Sequence, residues 1–199
     1  MAVSTATDGR VRPGGVAAGP VRVLGLGNEL IADDAMGILA ARGLCRRLAV
    51  AGTPAPSGPS LDSAVTVTAF EHPRAGTVEV LETALTGMYL LEAVLGASRL
   101  IVVDTIVTGS VDPGTVLELK EGDLVGAPGG SPHYIGLFET LELARGLGLG
   151  VPSDVDILAV EAGDCTTVGG AMTAPVAAAV PLVVERAMAL IEGGAVASA

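Results

Sequence analysis

Val21-Arg22-Val23-Leu24-Gly25-Leu26-Gly27-Asn28 and, four residues on, Asp33-Asp34-Ala35-Met36-Gly37-Ile38-Leu39-Ala40-Ala41 decide the fold of this chain. The first run is a short apolar segment closed by glycines and an asparagine, which reads as a buried strand leaving through a tight turn. The second sets two carboxylates ahead of apolar residues at helical spacing. That pattern marks a helix start, because a carboxylate accepts the orphan N–H groups of a first turn. The spacing predicts a helix running to about Leu48. A buried strand passing directly into a helix is the opening unit of an α/β sheet.

Outward from this unit the same rhythm continues. Residues 51–63 form a Pro/Gly/Ser loop, followed by two β-like runs, Val65–Phe70 and Val78–Glu82, around a polar turn. The second run is the next core strand and the first an added edge strand. Gly87–Leu95 carries Leu90, Leu91, Val94 and Leu95 on one helical face. Leu100-Ile101-Val102-Val103-Asp104 is the clearest strand, since four aliphatics in a row require burial on both faces. Thr115–Lys120 reads as an antiparallel strand near an edge, Ser131–Gly148 as a loop and helix, Val155–Val160 as the last strand and Thr173–Glu192 as the last helix. This order predicts a three-layer α/β/α sandwich around a mostly parallel, doubly wound sheet of about five strands. One domain is expected over residues 21–192, with a disordered arm at 1–20 and a flexible tail at 193–199.

Composition narrows the partners. Half of the 199 residues are hydrophobic but only 2% are aromatic, so the core is built from Val, Leu, Ile and Ala. The formal charge is −11, with one lysine, Lys120, against ten arginines. A chain so acidic lacks the cations that neutralise nucleic-acid phosphates or bind an anionic leaflet, so neither nucleic acid nor membrane is an expected partner. Cys45 and Cys165 stand far apart without a CxxC pairing, which suits a reducing, cytoplasmic setting. The first twenty residues lack the apolar core of a secretory signal. Ala174 to Ile191 is apolar but interrupted by Pro181, Glu185 and Arg186, and reads as a closing helix on the sheet.

In an open parallel sheet, ligands bind beyond the carboxyl ends of the strands, near the reversal of strand order. Asp34, Asp104 and His133 fall there by position. Each has a structural alternative. Asp34 is of the type that caps a helix, although Asp33 can take that task. Asp104 at a strand end has to be solvated, paired or ligating. His133, in Ser131-Pro132-His133, taken alone is an ordinary loop histidine. Together they make an oxygen, oxygen, nitrogen set suited to a divalent transition metal with open positions. Gly25-Leu26-Gly27 also invites a dinucleotide reading, but Leu30 stands where the third glycine belongs and no cation follows. Cys45 has core-like spacing. Cys165 is loop-borne, where it can face the site, but has no histidine partner, and His72 in a polar turn is expected to be exposed.

The run Val23-Leu24-Gly25-Leu26-Gly27-Asn28-Glu29-Leu30-Ile31-Ala32-Asp33-Asp34-Ala35-Met36-Gly37 resembles the opening motif of the [NiFe]-hydrogenase maturation proteases. The likeness continues through Val78-Glu79-Val80-Leu81, Thr86-Gly87-Met88, Val103-Asp104-Thr105, Pro113-Gly114-Thr115 and Ser131-Pro132-His133-Tyr134-Ile135-Gly136-Leu137. Order and spacing hold from about residue 21 to 192. The resemblance implies a three-layer α/β fold and an endopeptidase that removes a C-terminal extension from the hydrogenase large-subunit precursor after nickel insertion. It implies that Asp34, Asp104 and His133 contact the metal, with Asp33 left to capping. Nickel would arrive on the precursor instead of residing in the protease. Two segments depart from the family pattern. Glu82-Thr83-Ala84-Leu85 replaces an acidic residue followed by Gly-Gly-Thr, and Glu161-Ala162-Gly163-Asp164 replaces a Pro-Glu pair. Residues 65–73 look like an insertion.

Three readings follow. The first is a nickel-dependent processing endopeptidase. The second is a maturation chaperone that binds metal or precursor without turnover. The third is a nucleotide-binding domain, which Leu30 and the missing phosphate-binding cations disfavour.

Overall fold

The computed structural model describes residues 19–57, 64–124 and 132–193, with the side chains of residues 132–135 outside the description. The expected arm at 1–20 lies outside these residues save for Gly19 and Pro20, as does the tail beyond Gly193. Pro20 is already tied to the domain, its carbonyl accepting the Ser98 N–H at 3.0 Å.

β1 (Val21–Leu26) leads through a 3-10 turn (Asp33–Ala35) into α1 (Met36–Ala51). β2 (Thr53–Ala55), β3 (Val65–His72) and β4 (Gly76–Thr83) follow, then a 3-10 turn (Gly87–Leu90) continuing into the short α2 (Leu91–Val94). β5 (Arg99–Ile106), β6 (Val116–Lys120), α3 (Pro132–Gly146), β7 (Val155–Glu161) and α4 (Ala174–Ile191) complete the chain. The sheet has seven strands in the order β2-β3-β4-β1-β5-β7-β6. β4, β1, β5 and β7 are mutually parallel, while at the flanks β3 pairs antiparallel with β4, β2 antiparallel with β3 and β6 antiparallel with β7. The sandwich holds. The strand count is seven instead of about five.

One added strand is β2, which lies in the segment expected to be only a loop. Its Pro54 is tolerated because an edge strand needs no donor on its outer side. β3, expected as an added edge strand, forms a full hairpin with β4 from Val65↔Thr83 to His72↔Gly76. His72, expected to be exposed, is 5% accessible. Its Nδ1 accepts the Arg74 and Ala75 N–H groups of the hairpin turn at 3.4 and 3.3 Å, so the ring is consumed in closing that turn.

Strand alternation divides the core. Val23, Ile101, Val103, Leu158 and Val160 face α1 and α4. Leu24, Leu26, Val102, Ile106 and Ile157 face α2 and α3, meeting Leu90, Leu137 and Leu141. Each fully buried aliphatic contributes about 1.5–3 kcal/mol. α4 is apolar enough by length and composition to cross a membrane. Here Val176, Val183, Ala187 and Ile191 are buried in the layer shared with α1. Its outward positions are the ones left exposed.

Chain order reverses beside β1. The connection through α1 leads to β4 on one side, and the connection through α2 returns past β1 to β5 on the other. The switch point therefore falls where Asp34 follows β1 and Asp104 rides on β5.

Candidate active site

Gly27 opens the site. Its φ of +148° is unfavourable for any residue with a side chain, and a Cβ there would sit 1.9 Å from the Asp34 carbonyl oxygen. The chain uses this freedom to fold the Asp33–Ala35 turn over the end of β1, with Asn28 N–H donating to Asp34 O at 3.2 Å. Asp34 is thereby fixed by its backbone while its carboxylate stays partly accessible.

Asp104 does not end its strand. β5 pairs with β7 through Ile106↔Glu161, two residues further, while its pairing with β1 stops at Gly25↔Val103. Asp104 therefore stands level with the last residue of β1, one step past the final β1–β5 pair, at a place that the sequence presented as a strand end. Alternation puts it on the face of Val102 and Ile106, towards α3. It is fully buried, and its Oδ1 accepts the Thr105 N–H at 2.7 Å.

Thr105 faces the other way and joins the two acids. Its hydroxyl donates to Asp34 Oδ1 at 3.4 Å and accepts the Cys165 thiol at 3.9 Å. Asp34, Asp33 and Asp104 all act electrostatically on that thiol. The structure thus brings Asp34 and Asp104 to one place. Position 133 is the second residue of α3, one helical turn before Leu137, which packs in the layer beneath Asp104. The His133 side chain lies outside the described residues. Among the described residues no three His, Cys, Asp or Glu side chains cluster as a metal site.

Asp33 does not cap α1. That helix starts at Met36 with no side-chain cap, and Asp33 turns inward to the loop after β7 and to Thr173. Four well-placed donors outcompete a helix end that the preceding 3-10 turn already satisfies. Glu161, also missed in the sequence, is 2% accessible. It accepts the Thr108 and Gly109 N–H groups at 2.8 and 2.7 Å and the Thr108 hydroxyl at 2.8 Å. It therefore shapes the loop after β5. The only advance signal was an acid ending a strand of buried aliphatics.

Beside Asp34, a cleft of about 380 Å³ opens at the carboxyl ends of β1 and β4, lined by Gly27, Asn28, Leu30, Arg42 and Glu82. Arg42 spans it, donating to both Glu29 oxygens at 2.6 and 2.8 Å and to Glu82 at 2.8 Å. The Arg42 guanidinium holds the Glu29 carboxyl below its usual range. The divergent Glu82-Thr83-Ala84-Leu85 segment therefore has a defined form. Glu82 holds Arg42, and Thr83 Oγ accepts the Leu85 N–H at 3.1 Å in a local turn. Leu30, Val107 and Val168 stand exposed around this edge. At the opposite, amino-terminal edge a cavity of about 470 Å³ is lined by Arg99, Lys120, Asp154 and Asp156, whose charges pair with one another.

Burial pushes the Cys165 thiol up to about 11, and the surrounding carboxylates add to the rise. At pH 8 roughly one thiol in a thousand is then ionised, and only the thiolate attacks a carbonyl. Cys165→Ser is accordingly expected to keep its proteolytic rate within about threefold. Iodoacetamide should label Cys165 roughly two orders of magnitude more slowly than an unperturbed thiol. Loss of activity in the serine variant would make the thiol a participant.

The fold is that of hydrogenase-maturing endopeptidases known from solved structures. The endopeptidase HybD from Escherichia coli superposes with a TM-score of 0.64 over 87% of this chain and 93% of its own, at 24% identity. HybD from Thermococcus kodakarensis, a [NiFe] hydrogenase maturation protease, gives 0.62 over 86% and 99%, at 22% identity. The hydrogenase expression/formation protein HupD of Rhizobium leguminosarum bv. viciae is 28% identical over 180 residues, 89% of this chain and 76% of that protein. The family model for hydrogenase maturation protease (HycI) matches residues 66–190, more than half of the chain. This chain belongs to the hydrogenase maturation protease family.

Proposed function

We propose that this protein is the endopeptidase that removes the C-terminal extension of a [NiFe]-hydrogenase large-subunit precursor once nickel is in place, with Asp34, Asp104 and His133 as its metal-reading and catalytic set. The observation that carries this reading is the convergence of Asp34 and Asp104 at the switch point, joined through Thr105. Family membership makes the chain a hydrogenase maturation protease.

The two acids supply hard oxygen donors of unequal exposure, one buried and one reachable. Nickel carried by precursor thiolates needs few further ligands, and two carboxylates with an imidazole suit its remaining positions. The metal is then a property of the substrate, and the protease acts only on precursor that bears it. Water adds to the scissile carbonyl and gives its proton to a carboxylate. The same proton passes to the leaving amine as the C–N bond breaks. No acyl-enzyme is required, in keeping with the un-ionised Cys165 thiol. The exposed Leu30, Val107 and Val168 around the site suit a protein-sized substrate, and the setting of this work is the cytoplasm.

The test mixes the purified protein with nickel-loaded and nickel-free precursor and follows mass. Loss of the extension only from the loaded precursor is expected. Cleavage of both forms would end the nickel-reading part. Stable binding of loaded precursor without any mass loss would replace the enzyme with a non-catalytic maturation chaperone.

A further inference from the structure

A second carboxylate stands next to Asp34 in sequence and takes no part in the chemistry proposed for it. Asp33 is fully buried. Its Oδ2 accepts the Gly163 and Asp164 N–H groups, both at 2.8 Å, and the Thr173 hydroxyl at 2.9 Å. Its Oδ1 accepts the Thr173 N–H at 2.7 Å. All four donors lie at least 130 positions away. Main-chain bonds run alongside: Asp33 N–H to Asp164 O at 2.9 Å, Ala32 N–H to Thr167 O at 3.0 Å and Gly169 N–H to Leu30 O at 2.7 Å.

The arrangement contradicts local preference twice. Asp and Thr are both strong N-cap types. Asp33 precedes α1 and Thr173 is the N-cap residue of α4, yet neither helix receives a side-chain cap. The two residues bond to each other instead. Local rules broken together at one place, with no gain to either helix, mark a functional constraint. The 3-10 turn explains the direction. Successive side chains diverge by about 120°, so an inward Asp33 sends Asp34 outward.

We propose that Asp33 is a positioning residue for proteolysis. It pins the loop 162–173 to the turn that carries Asp34, and this sets where the Asp34 carboxylate stands relative to Thr105 and Asp104. The same pin brings Cys165 against Thr105 and completes one wall of the site. Only a carboxylate serves here. An amide at position 33 has one acceptor oxygen, and its NH₂ would confront the N–H donors of the loop. This inference rests on Asp34 being the acid of the reaction centre.

The experiment compares Asp33→Asn, Thr173→Val and their double variant in processing of nickel-loaded precursor, with Asp34→Asn in parallel. Asp33→Asn is expected to lower kcat about a hundredfold with KM within about threefold, the pattern of a displaced catalytic group. Thr173→Val, which removes one of the four donors, should lower kcat about tenfold in the same sense. The double variant should be no worse than Asp33→Asn. Amide exchange at Gly163 and Asp164 should quicken in Asp33→Asn. A folded Asp33→Asn protein with unchanged kcat, whatever its melting temperature, overturns the proposal. If that variant does not fold, unchanged kcat in Thr173→Val overturns it instead. Activity retained in Asp34→Asn would mean that the site reading itself has failed, whereas loss there with full activity in Asp33→Asn sinks only the positioning role.

Discussion

Asp104→Asn is expected to reduce processing of nickel-loaded precursor by about a thousandfold or more, while the protein stays folded. The substitution keeps the side-chain shape, and its oxygen still accepts the Thr105 N–H that Asp104 holds at 2.7 Å. What it removes is one carboxylate oxygen in a fully buried position, replaced by an NH₂ that can neither take up the proton nor ligate a metal. A positioned acid or base is worth about 10²–10⁴ in rate, and the lost metal contact adds to this. Stability should change little, because the amide keeps both the shape of the side chain and the acceptor for the Thr105 N–H. Asp34→Asn and His133→Ala should fail in the same assay. Normal turnover in Asp104→Asn would place the reaction elsewhere in the molecule.

Gly37→Val is expected to destabilise the fold severely. A Cβ at Gly37 would lie 2.0 Å from the Leu26 carbonyl oxygen and 2.5 Å from that of Val103. Both oxygens belong to the central strands β1 and β5, which are held on either side by pairing and cannot retreat. α1 would have to lift from the sheet and release Met36, Leu44 and Leu48 from the core. Overpacking against immovable backbone costs about 3 kcal/mol or more, a large part of a domain's stability. Gly146→Ala serves as the control. Nothing lies within 4 Å of its added methyl group, and at the last residue of α3 alanine is expected to cost no stability. Urea melts of the soluble fraction distinguish the two. A stable, monodisperse Gly37→Val protein would show that the contact between α1 and the sheet is looser than described.

The parallel centre of the fold was legible because burial on two faces leaves no choice of residue. Leu100 to Val103 and Ile157 to Val160 are apolar without alternation, and both are central strands. The margins were harder. β2 is three residues with a proline, and nothing in Thr53-Pro54-Ala55 demands a strand until β3 offers its edge. His72 looked exposed because its neighbours are polar, whereas its burial is decided by the backbone donors of a turn. At the site, Asp34 and Asp104 could be placed by topology. The divergent fates of Asp33 and Asp34 could not, since two adjacent acids before a helix look alike until the partners 130 residues away are known. Thr105 was hidden for the same reason. Its importance comes from the strand's alternate face, which only the packing of the Asp33–Ala35 turn makes meaningful.

The bonding of Asp33 to the loop after β7 also has a temporal meaning. A ribosome-bound chain that has emerged only as far as β5 already contains Asp34, Thr105 and Asp104, yet none of the four donors that fix Asp33. Closing so long a span is entropically late, because distant contacts are rewarded only after the intervening chain is placed. The assembled centre is therefore among the last parts of this molecule to form. Under the proposed function, competence to cut arrives only once residues 163–173 have been made.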